Sequence, residues 1–593
     1  MEAAERSQTE QVLGRISRDD WTGFLASDEG EHLRSRIEGV REALRGSDNL
    51  PLGAPARPIA EVVALLGHRL LSDEAAGLWL REKTIQNLTV ARWKKLAQVY
   101  SAMASRKAEP LHHAMSQQGK GSRVMASYWH QGGSWARSFC EITGLPEILA
   151  KSRPNPLPED EEVNPVQALA PLHDFQVEVY SSMRELLRKG IGKAAMLSLP
   201  TGAGKTRVTV EAICDHLAED AGARPSRNVV LWIAQSTELQ QQAWECFRQV
   251  WQVPPQRDDG SIPRGRPLRI VRLWGGRDPD DVVIDDATTV LVAGIDQLAS
   301  WVRNRPDFFD NLPMRRLACV VVDEAHSLIT KEHSEVLVAL GLRAKHGWQT
   351  LKGAPPVIGL SATPWRSSDD ESAALGRYFH ERLLRPESLR EKPIHALQKR
   401  GILARVTSER LDIDGTRAMT AAQRRSFEQY KTLPSDYVAQ LGLENQRNAR
   451  ILSRLVGLPK RARTLVFACS IAHAEILTMA LNRAIGEDCA ALVTGKTPRA
   501  ERADIIERFR AGNGLRFLCN VGVLTTGFDA PRADTVCITR PTMSALLYEQ
   551  MVGRGLRGPK NGGTEKCLVI DVQDEGMPDG IQSYQRVLHL WDS

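Results

Sequence analysis

A glycine-rich segment in the first half of the chain has the residue types of a phosphate-binding loop. Residues 197–206 read Leu-Ser-Leu-Pro-Thr-Gly-Ala-Gly-Lys-Thr and connect an apolar run to a helical pattern. Gly202 and Gly204 allow the backbone to turn its N–H groups toward an anion, and the start of the following helix adds the positive end of its dipole. Lys205 would reach the outer phosphates of a nucleotide, and the Thr206 hydroxyl would hold Mg²⁺. The alternative is a glycine-rich turn that binds no ligand.

A pair of carboxylates follows a second apolar run. Asp323 and Glu324 come directly after residues 319–322, and ligands of open α/β sheets bind at the carboxyl ends of the strands. Asp323 would bind the Mg²⁺ of the nucleotide, while Glu324 would position or activate the attacking water. Taken alone, such a pair is often a helix N-cap. The phosphate loop earlier in the chain favours the catalytic interpretation.

The elements that must position these residues can be traced from short apolar runs that alternate with helical patterns. Runs that are apolar throughout are typical of strands buried on both faces of a parallel sheet. Their alternation with helices indicates α/β domains with helices on both faces of the sheet. The runs fall into two groups, one at 195–199, 229–234, 290–293, 319–322 and 357–360, the other at 464–468, 489–493, 517–520, 535–539 and 567–571. The sequence therefore predicts two α/β domains in tandem.

Changes in composition predict the domain boundaries. The first part of the chain lacks strand-like runs, and its apolar residues recur at helical spacing. Prolines and an acidic run at 159–162 then indicate a linker. The predicted division is 1–155 for a helical accessory domain, 156–170 for a linker rich in proline and acid, 171–385 for the first α/β domain, 386–455 for a mostly helical connecting segment and 456–593 for the second α/β domain.

Composition excludes several classes of protein. A chain of 593 residues is too long for one compact core, and its net charge of +6 is small for that length, so overall charge says little about partners. The nine cysteines have no CxxC spacing, which argues against a structural zinc site and fits a reducing cytoplasm. No signal peptide pattern or run near the ~20 apolar residues of a membrane span occurs. We therefore expect a cytoplasmic protein with no membrane contact.

Positive charge is concentrated before the predicted linker. Residues 83–153 contain eleven Lys or Arg and three acidic residues. The aromatic residues interleaved with them are Trp93, Tyr100, Tyr128, Trp129, Trp135 and Phe139. Basic side chains with aromatic stacking platforms suit nucleic-acid binding. Two alternatives remain open: a helical domain with a solvated basic face and an aromatic core, or a docking surface for a partner protein.

Together these motifs resemble those of the superfamily 2 helicases. Asp323 to His326 spells the DEAH form of the family's second motif, and residues 361–366, Ser-Ala-Thr-Pro-Trp-Arg, are similar to its third motif. The family commonly replaces the first glycine of the phosphate loop, which accounts for Leu199. The resemblance implies that the two α/β domains are RecA-like motor domains that use ATP and Mg²⁺.

Further motifs match in the family's order and assign residues by resemblance. Those implied to contact the nucleotide are Gln176, Thr201, Gly202, Ala203, Gly204, Lys205, Thr206, Gly527 and Asp529. Gln176 would read adenine, and Gly527 and Asp529 would face the ribose. Those implied to contact the nucleic-acid backbone are Thr237, Gln242, Gln297 and Thr525.

The resemblance also implies a catalytic and a coupling set. Arg554 and Arg557 lie in the sixth motif and would reach the γ-phosphate across the cleft, completing the catalytic set of Lys205 and Glu324. The residues implied to couple the nucleotide state to the grip on nucleic acid are His326, Ser361, Thr363 and Gln550. His326 would bond Gln550 across the cleft.

The subgroup implied is that of the type III res-like motor subunits of restriction enzymes and the related DNA-repair helicases. They share the DEAH box, the Ser-Ala-Thr-Pro-x-Arg motif and the type of adenine motif found here. The resemblance implies an ATP-dependent DNA helicase or translocase, the motor subunit of a DNA-processing or defence system, with DNA favoured over RNA. The alternatives are an RNA helicase or remodeller, and a nucleotide-switched scaffold that recruits a partner protein. A nuclease or other effector would bind through the N-terminal domain.

Overall fold

The structure is a computed structural model of the chain. It describes residues 3–592 apart from 48–57, 74–75, 105–117, 131, 151–159, 164–168, 191–192, 220–226, 253–266, 276–277, 283, 312–315, 344–353, 363–368, 381, 416, 486–487, 496, 498, 513 and 524–531. None of the helices in these ranges combines the length and the apolar character needed to cross a lipid bilayer.

The N-terminal domain is helical over its described residues, as predicted. Its helices are α1 (Ala3–Leu13), α2 (Arg18–Ala26), α3 (Asp28–Arg45), α4 (Pro58–Leu66), α5 (Gly77–Gln86), α6 (Val90–Ala104), α7 (Gln118–Ser127) and α8 (Ser134–Thr143). The hydroxyls of Ser17 and Ser27 accept the N–H groups of Asp20 and Gly30, so both serines act as N-caps that start α2 and α3.

The first α/β domain is built around a sheet whose described strands run in the order β1-β4-β5-β3-β6-β7-β2-β8. Its elements are β1 (Asp160–Val163), α9 (Asp174–Lys189), β2 (Ala194–Ser198), α10 (Lys205–Glu219), β3 (Val229–Ala234), α11 (Thr237–Trp251), β4 (Leu268–Leu273), β5 (Thr289–Gly294), α12 (Ile295–Asn304), α13 (Asp307–Asn311), β6 (Leu317–Asp323), α14 (Lys331–Ala339), β7 (Val357–Ser361), α15 (Asp369–Tyr378) and β8 (Leu383–Leu384). Strands β2, β3, β5, β6 and β7 are buried along their whole length. Apolar runs predicted these strands because both faces of the sheet are covered.

Strand β1 lies inside the segment predicted to be a linker. It pairs antiparallel with β4, from Asp160 opposite Val271 to Val163 opposite Leu268. The linker prediction therefore differs from the structure over these four residues. Three of them are acidic, and β1 ends the order of described strands. Charged residues are common on edge strands because they hinder pairing with a further strand.

The second α/β domain has a parallel sheet whose described strands run in the order β11-β12-β10-β13-β14-β9. The remaining elements of the chain are α16 (Pro393–Lys399), β9 (Arg405–Ile413), α17 (Ala421–Tyr430), α18 (Ser435–Leu441), α19 (Asn445–Val456), β10 (Thr464–Phe467), α20 (Ile471–Ile485), β11 (Ala490–Val493), α21 (Arg499–Ala511), β12 (Phe517–Asn520), β13 (Thr535–Ile538), α22 (Ala545–Gly553), β14 (Lys566–Asp574) and α23 (Tyr584–Asp592). Two parallel-sheet domains with flanking helices confirm the predicted fold class.

Strand β9 lies within the segment 386–455 that was predicted to be a connection. It pairs in parallel with β14 over nine residues, from Arg405 opposite Lys566 to Ile413 opposite Asp574. The connecting segment therefore supplies an edge strand of the second sheet. Its sequence, Arg-Val-Thr-Ser-Glu-Arg-Leu-Asp-Ile, is largely exposed, so it lacks the continuous apolar run of a central strand.

The N-terminal domain packs on the second α/β domain. Helix α3 contacts α19 and α20, and the three helices contribute to one apolar core. The approach is close, because a Cβ at Gly39 would lie 2.9 Å from the Ile476 Cδ1 atom and a Cβ at Gly46 would lie 2.8 Å from the Ala449 Cβ. A shared core of this kind makes the two domains one mechanical unit.

Candidate nucleotide site

Three strands of the first sheet end side by side and bring the predicted site residues together. Strand β7 lies between β2 and β6, with Ser361 opposite Ser198 and Leu360 opposite Asp323. All three strands are parallel, so their carboxyl ends lie at one edge of the sheet. The phosphate loop after β2 and the carboxylates after β6 therefore flank Ser361 at the end of β7.

The phosphate loop has the backbone that its glycines predicted. Gly202 and Gly204 both have a φ of 85°, in the left-handed region that favours glycine. A Cβ at Gly204 would also lie 2.4 Å from the Gln176 Nε2 atom. Helix α10 begins at Lys205, whose Nζ donates to the Leu199 carbonyl at 3.0 Å. The lysine thus lies folded back over its own loop.

The Gln176 side chain braces this loop. Its Nε2 donates to the Ala203 carbonyl at 2.9 Å, and its Oε1 accepts the His173 N–H at 2.9 Å. The side chain is buried, and both ends of its amide are bonded to backbone. The predicted contact of Gln176 with adenine stays a prediction, while the structure shows that it joins the start of α9 to the phosphate loop.

The carboxylate pair occupies a strained turn. Glu324 has a φ of 51°, a conformation that costs a non-glycine residue on the order of 1–3 kcal/mol. Its N–H donates to Asp323 Oδ1 at 3.0 Å. The His326 Nδ1 atom lies 3.3 Å from Glu324 Oε2 and 3.4 Å from Ser361 Oγ.

The predicted bond between His326 and Gln550 is not among the hydrogen bonds that the described residues make. The 3-10 turn Ala325–Ile329 follows Glu324 directly and turns the imidazole toward the end of the neighbouring strand β7. The contacts of His326 with Glu324 and Ser361 therefore lie within the first α/β domain. Ser361, another member of the predicted coupling set, is the side chain that it reaches.

Helix α22 brings the second α/β domain against the phosphate loop. Ser544 starts this helix by accepting the Leu547 N–H on its hydroxyl. Glu549 and Gly553 are four residues apart and share one face of the helix. Glu549 Oε1 lies 3.5 Å from Thr201 Oγ1, and a Cβ at Gly553 would lie only 2.4 Å from Thr201 Cγ2. The two domains are therefore in contact at Thr201.

Charges from both domains act on one another in this cleft. Burial and the neighbouring Glu324 raise the pKa of Asp323 to about 7. Burial also acts to raise the pKa of Glu324, but the His326 hydrogen bond and the nearby cations hold it below its usual value. Burial lowers the pKa of Lys205, opposed by Glu324, Glu549 and Asp323. Arg554 of the second domain is near enough to contribute to all three shifts.

Two family models match segments of this chain, one in each α/β domain. The model described as "Type III restriction enzyme, res subunit" matches residues 170–366, and the model described as "Helicase conserved C-terminal domain" matches residues 447–558. The chain contains a superfamily 2 helicase motor. The two matched segments hold the phosphate loop with the carboxylate pair and helix α22, respectively.

Curated relatives cover the motor and leave part of their own length unmatched. The "Putative ATP-dependent helicase IRC3" of Saccharomyces cerevisiae is 25% identical over 409 residues, which are 68% of this chain and 51% of that protein. The "Putative mitochondrial ATP-dependent helicase irc3" of Schizosaccharomyces pombe is 26% identical over 68% of this chain and 57% of that protein. The chain thus spans about half the length of these two relatives. The "Type I restriction enzyme EcoKI endonuclease subunit" of Escherichia coli is 22% identical over 66% of this chain and 34% of that protein.

Solved structures are similar to the motor at low identity. A fragment of a putative HsdR subunit of a type I restriction enzyme from Vibrio vulnificus aligns with a TM-score of 0.44 and 19% identity, over 69% of this chain and 67% of that one. Dbp5 from S. cerevisiae, bound to RNA and ADP BeF3, aligns with a TM-score of 0.44 and 14% identity, over 71% of this chain and 90% of that one.

Three of the residues predicted to contact nucleic acid are described by the structure, and they lie along the same sheet edge as the phosphate loop. Thr237 begins α11 after β3, and Gln297 lies in α12 after the neighbouring strand β5. Gln242 lies one turn further along α11 and is half-buried. Since β3 also pairs with β6, this group begins one strand away from the carboxylate pair.

Four predicted site residues lie outside the described residues. They are Thr363, Thr525, Gly527 and Asp529. Of the two predicted arginines, Arg554 caps the C-terminus of α22, and its charge acts on Lys205 in the cleft. Arg557 lies three residues further along the chain and forms a backbone bridge with Leu403.

Two residues in the cleft of the motor were missed from sequence. Glu549 precedes the predicted Gln550 and contacts Thr201. Asn561 bonds His173 Nε2 at 3.2 Å and the Gly202 carbonyl at 3.4 Å. The only sequence signal for Glu549 was its place in the sixth motif, and Asn561 lies in a glycine-rich turn with no signal. Contacts across 348 and 388 residues of chain leave no local pattern.

The aromatic residues of the basic N-terminal region form a core. Tyr100, Trp135 and Phe139 are buried, and Tyr100 packs edge-on against Trp135 at 5.3 Å between ring centroids. Of the six aromatic side chains in this region, only Tyr128 is largely exposed, at 47%. Of the alternatives left open by the sequence, the helical domain with an aromatic core fits these rings, because a buried ring cannot stack on a base.

The residues at the sheet edge fit a magnesium nucleotide. The two left-handed glycines hold the loop open for backbone N–H donors, and Lys205, Thr206 and Asp323 supply a cation, a hydroxyl and a carboxylate. Among the described residues no group of three His, Cys, Asp or Glu side chains could hold a metal. Mg²⁺ needs no such group, because it commonly binds one or two carboxylates together with substrate phosphates.

Proposed function

We propose that this motor couples ATP hydrolysis to movement along DNA, as a helicase or translocase. The supporting observation is the cleft itself, in which Lys205, Asp323 and Glu324 of the first domain lie within electrostatic reach of Arg554 of the second. Phosphoryl transfer depends mainly on positioning and charge stabilisation, so a site split between two domains links the reaction to their relative motion.

Each side chain of the proposed site has a role that its position supports. Lys205 binds the outer phosphates, while Thr206 and Asp323 hold Mg²⁺, which neutralises phosphate charge when it is bound. Glu324 orients the attacking water; its lowered pKa keeps it ionised and able to accept a proton. Arg554, together with Arg557, stabilises the developing charge, a contribution worth ~10³ to 10⁵ in rate.

Coupling to the track runs through the sheet edge in this proposal. Thr237, Gln242 and Gln297 contact the nucleic-acid backbone at the ends of β3 and β5, with Thr525 contributing from the second domain. Ser361 and His326 lie between these contacts and the phosphate loop, with Thr363 and Gln550 completing the coupling set. Backbone contacts position a protein without reading bases, so we expect little sequence preference and binding that weakens as salt rises.

The resemblance to restriction-enzyme motor subunits favours DNA over RNA as the track. The same resemblance favours a motor that works with other proteins in DNA processing or defence. A cytoplasmic location stays a prediction. A second candidate function is a nucleotide-driven switch. The shared core of the N-terminal and second α/β domains favours it, because closure of the cleft would move the N-terminal surface that a nuclease or other effector could bind.

ATP hydrolysis measured without nucleic acid and with single-stranded DNA, duplex DNA or RNA tests the proposal, with Glu324→Gln as the blank. Stimulation by one form of DNA, absent from the blank, is the expected result. Stimulation by RNA alone would show that the track is RNA and not DNA. Equal, slow hydrolysis under all conditions would overturn the motor and favour the switch.

A further inference from the structure

Glu549 enters the nucleotide cleft from the domain opposite the phosphate loop. Its side chain is 5% exposed, and its Oε1 lies 3.5 Å from the Thr201 hydroxyl. The other oxygen, Oε2, is buried and has no hydrogen-bond partner. The glycine at 553 permits this placement, since any Cβ there would collide with Thr201. A buried polar atom without a partner is costly unless a ligand supplies one.

Burial, acting against nearby charges of both signs, favours the neutral form of Glu549. From the first domain it faces Lys205, the neighbouring Glu324 and the Thr201 hydroxyl. Lys205 donates to the Leu199 carbonyl. Burial is the largest influence on the Glu549 carboxyl, and repulsion from Glu324 adds to it, whereas Lys205 and the Thr201 hydrogen bond oppose it. Burial prevails and raises the pKa of Glu549 to about 8. At pH 7 the carboxyl retains its proton and can donate a hydrogen bond.

We propose that Glu549 binds the phosphate chain of the nucleotide from the second domain, as a neutral carboxylic acid that donates a hydrogen bond. This inference rests on the proposed function only in assuming that the cleft binds a nucleotide. An ionised carboxylate would repel the phosphates, whereas a protonated one offers them a donor without adding a second cation beside Arg554. Phosphate oxygens then supply the partner that Oε2 lacks, and Glu549 becomes a ligand that senses the nucleotide only when the cleft is closed.

Equilibrium binding of Mg²⁺ and the non-hydrolysable analogue AMP-PNP to the full chain tests the proposal. The wild type, Glu549→Gln and Glu549→Ala are compared from pH 6.5 to 9.5. Gln is isosteric and keeps a neutral donor at every pH. Glu565→Gln serves as the matched control, because Glu565 is an exposed acid of the same domain. Thermal unfolding of each variant checks that it is folded.

The expected result has two parts. At pH 7 Glu549→Gln binds within about twofold of the wild type, while Glu549→Ala binds about tenfold more weakly, which is the loss of one hydrogen bond to a charged group. Above pH 8 the affinity of the wild type falls relative to that of Glu549→Gln. Tighter binding by Glu549→Ala would overturn the proposal, since Glu549 would then act as a competing anion. Equal weakening of the Gln and Ala variants would overturn it as well. Hydrolysis is not measured, so a failure of the proposed motor activity would leave these results readable.

Discussion

Arg69 of the N-terminal domain donates to Glu475 of the second α/β domain at 2.7 Å, and the Glu475 side chain is only 1% exposed. Arg36 lies 2.8 Å from its other oxygen. A carboxylate buried between two arginines of another domain fixes the orientation in which the domains pack. These contacts join the N-terminal domain to α20 of the second α/β domain.

Replacement of Glu475 by alanine should destabilise this unit. Removal of one partner of a buried ion pair leaves the other charges uncompensated, and we expect the free energy of unfolding to fall by about 3 kcal/mol. Urea unfolding followed by tryptophan fluorescence measures the change. Glu31→Ala is the control, because its pair with Arg34 is exposed and is worth at most about 1 kcal/mol. Equal effects of the two substitutions would contradict the buried pair as an anchor.

Glu324→Gln should reduce ATP hydrolysis by about 10² to 10⁴ while nucleotide binding persists. The amide keeps the shape of the strained turn but cannot accept a proton from water. Single-turnover hydrolysis and binding of a fluorescent ATP analogue separate the two effects. A variant that lost binding along with hydrolysis would show that Glu324 holds the nucleotide.

Gln176→Ala should weaken ATP and GTP binding alike, by about tenfold, because it removes the bonds to Ala203 and His173 that brace the phosphate loop. Competition binding with both nucleotides measures the change. A loss confined to ATP would instead show that Gln176 acts by reading adenine.

Gly553→Ala should slow hydrolysis by about 10²-fold, a cost typical of a displacement near 1 Å in a catalytic arrangement. The added Cβ would lie 2.4 Å from Thr201 Cγ2 and push α22 away from the phosphate loop. Gly495→Ala in the same domain is the matched control, because a Cβ there meets nothing within 4 Å. The readout is steady-state ATPase activity, and normal turnover by Gly553→Ala would exclude closure at this contact.

The thermal stability of Glu549→Gln should depend on pH differently from that of the wild type. Folding raises the pKa of Glu549 to about 8 from an ordinary value of 4.5. The stability that its protonation contributes is present below pH 4.5 and is lost as pH rises toward 8. The melting temperature of Glu549→Gln should therefore match the wild type near pH 4.5 and exceed it increasingly up to pH 8. Parallel curves across this range would show that Glu549 ionises normally.

Motifs at single strand ends were open to prediction because local sequence sets them. The loop at 199–206 needs glycines wherever its φ values are positive, and the carboxylates 323–324 need only an apolar strand before them. The edge strands could not be predicted in this way. Strands β1 and β9 carry charged residues, so their sequences resemble those of linkers. Their backbone hydrogen bonds go to β4 and β14, which are distant in the chain, and no local pattern reports such pairing.

The sequence by itself determined the two motor domains, the phosphate loop and the pair Asp323 and Glu324, because each depends on residue types within a few positions of one another. Only the tertiary structure decided which charges share the cleft. The raised pKa of Glu549 arises mainly from burial against a loop that lies 348 residues away in the chain. Desolvation and close packing act through space, so a linear pattern of residues does not encode them.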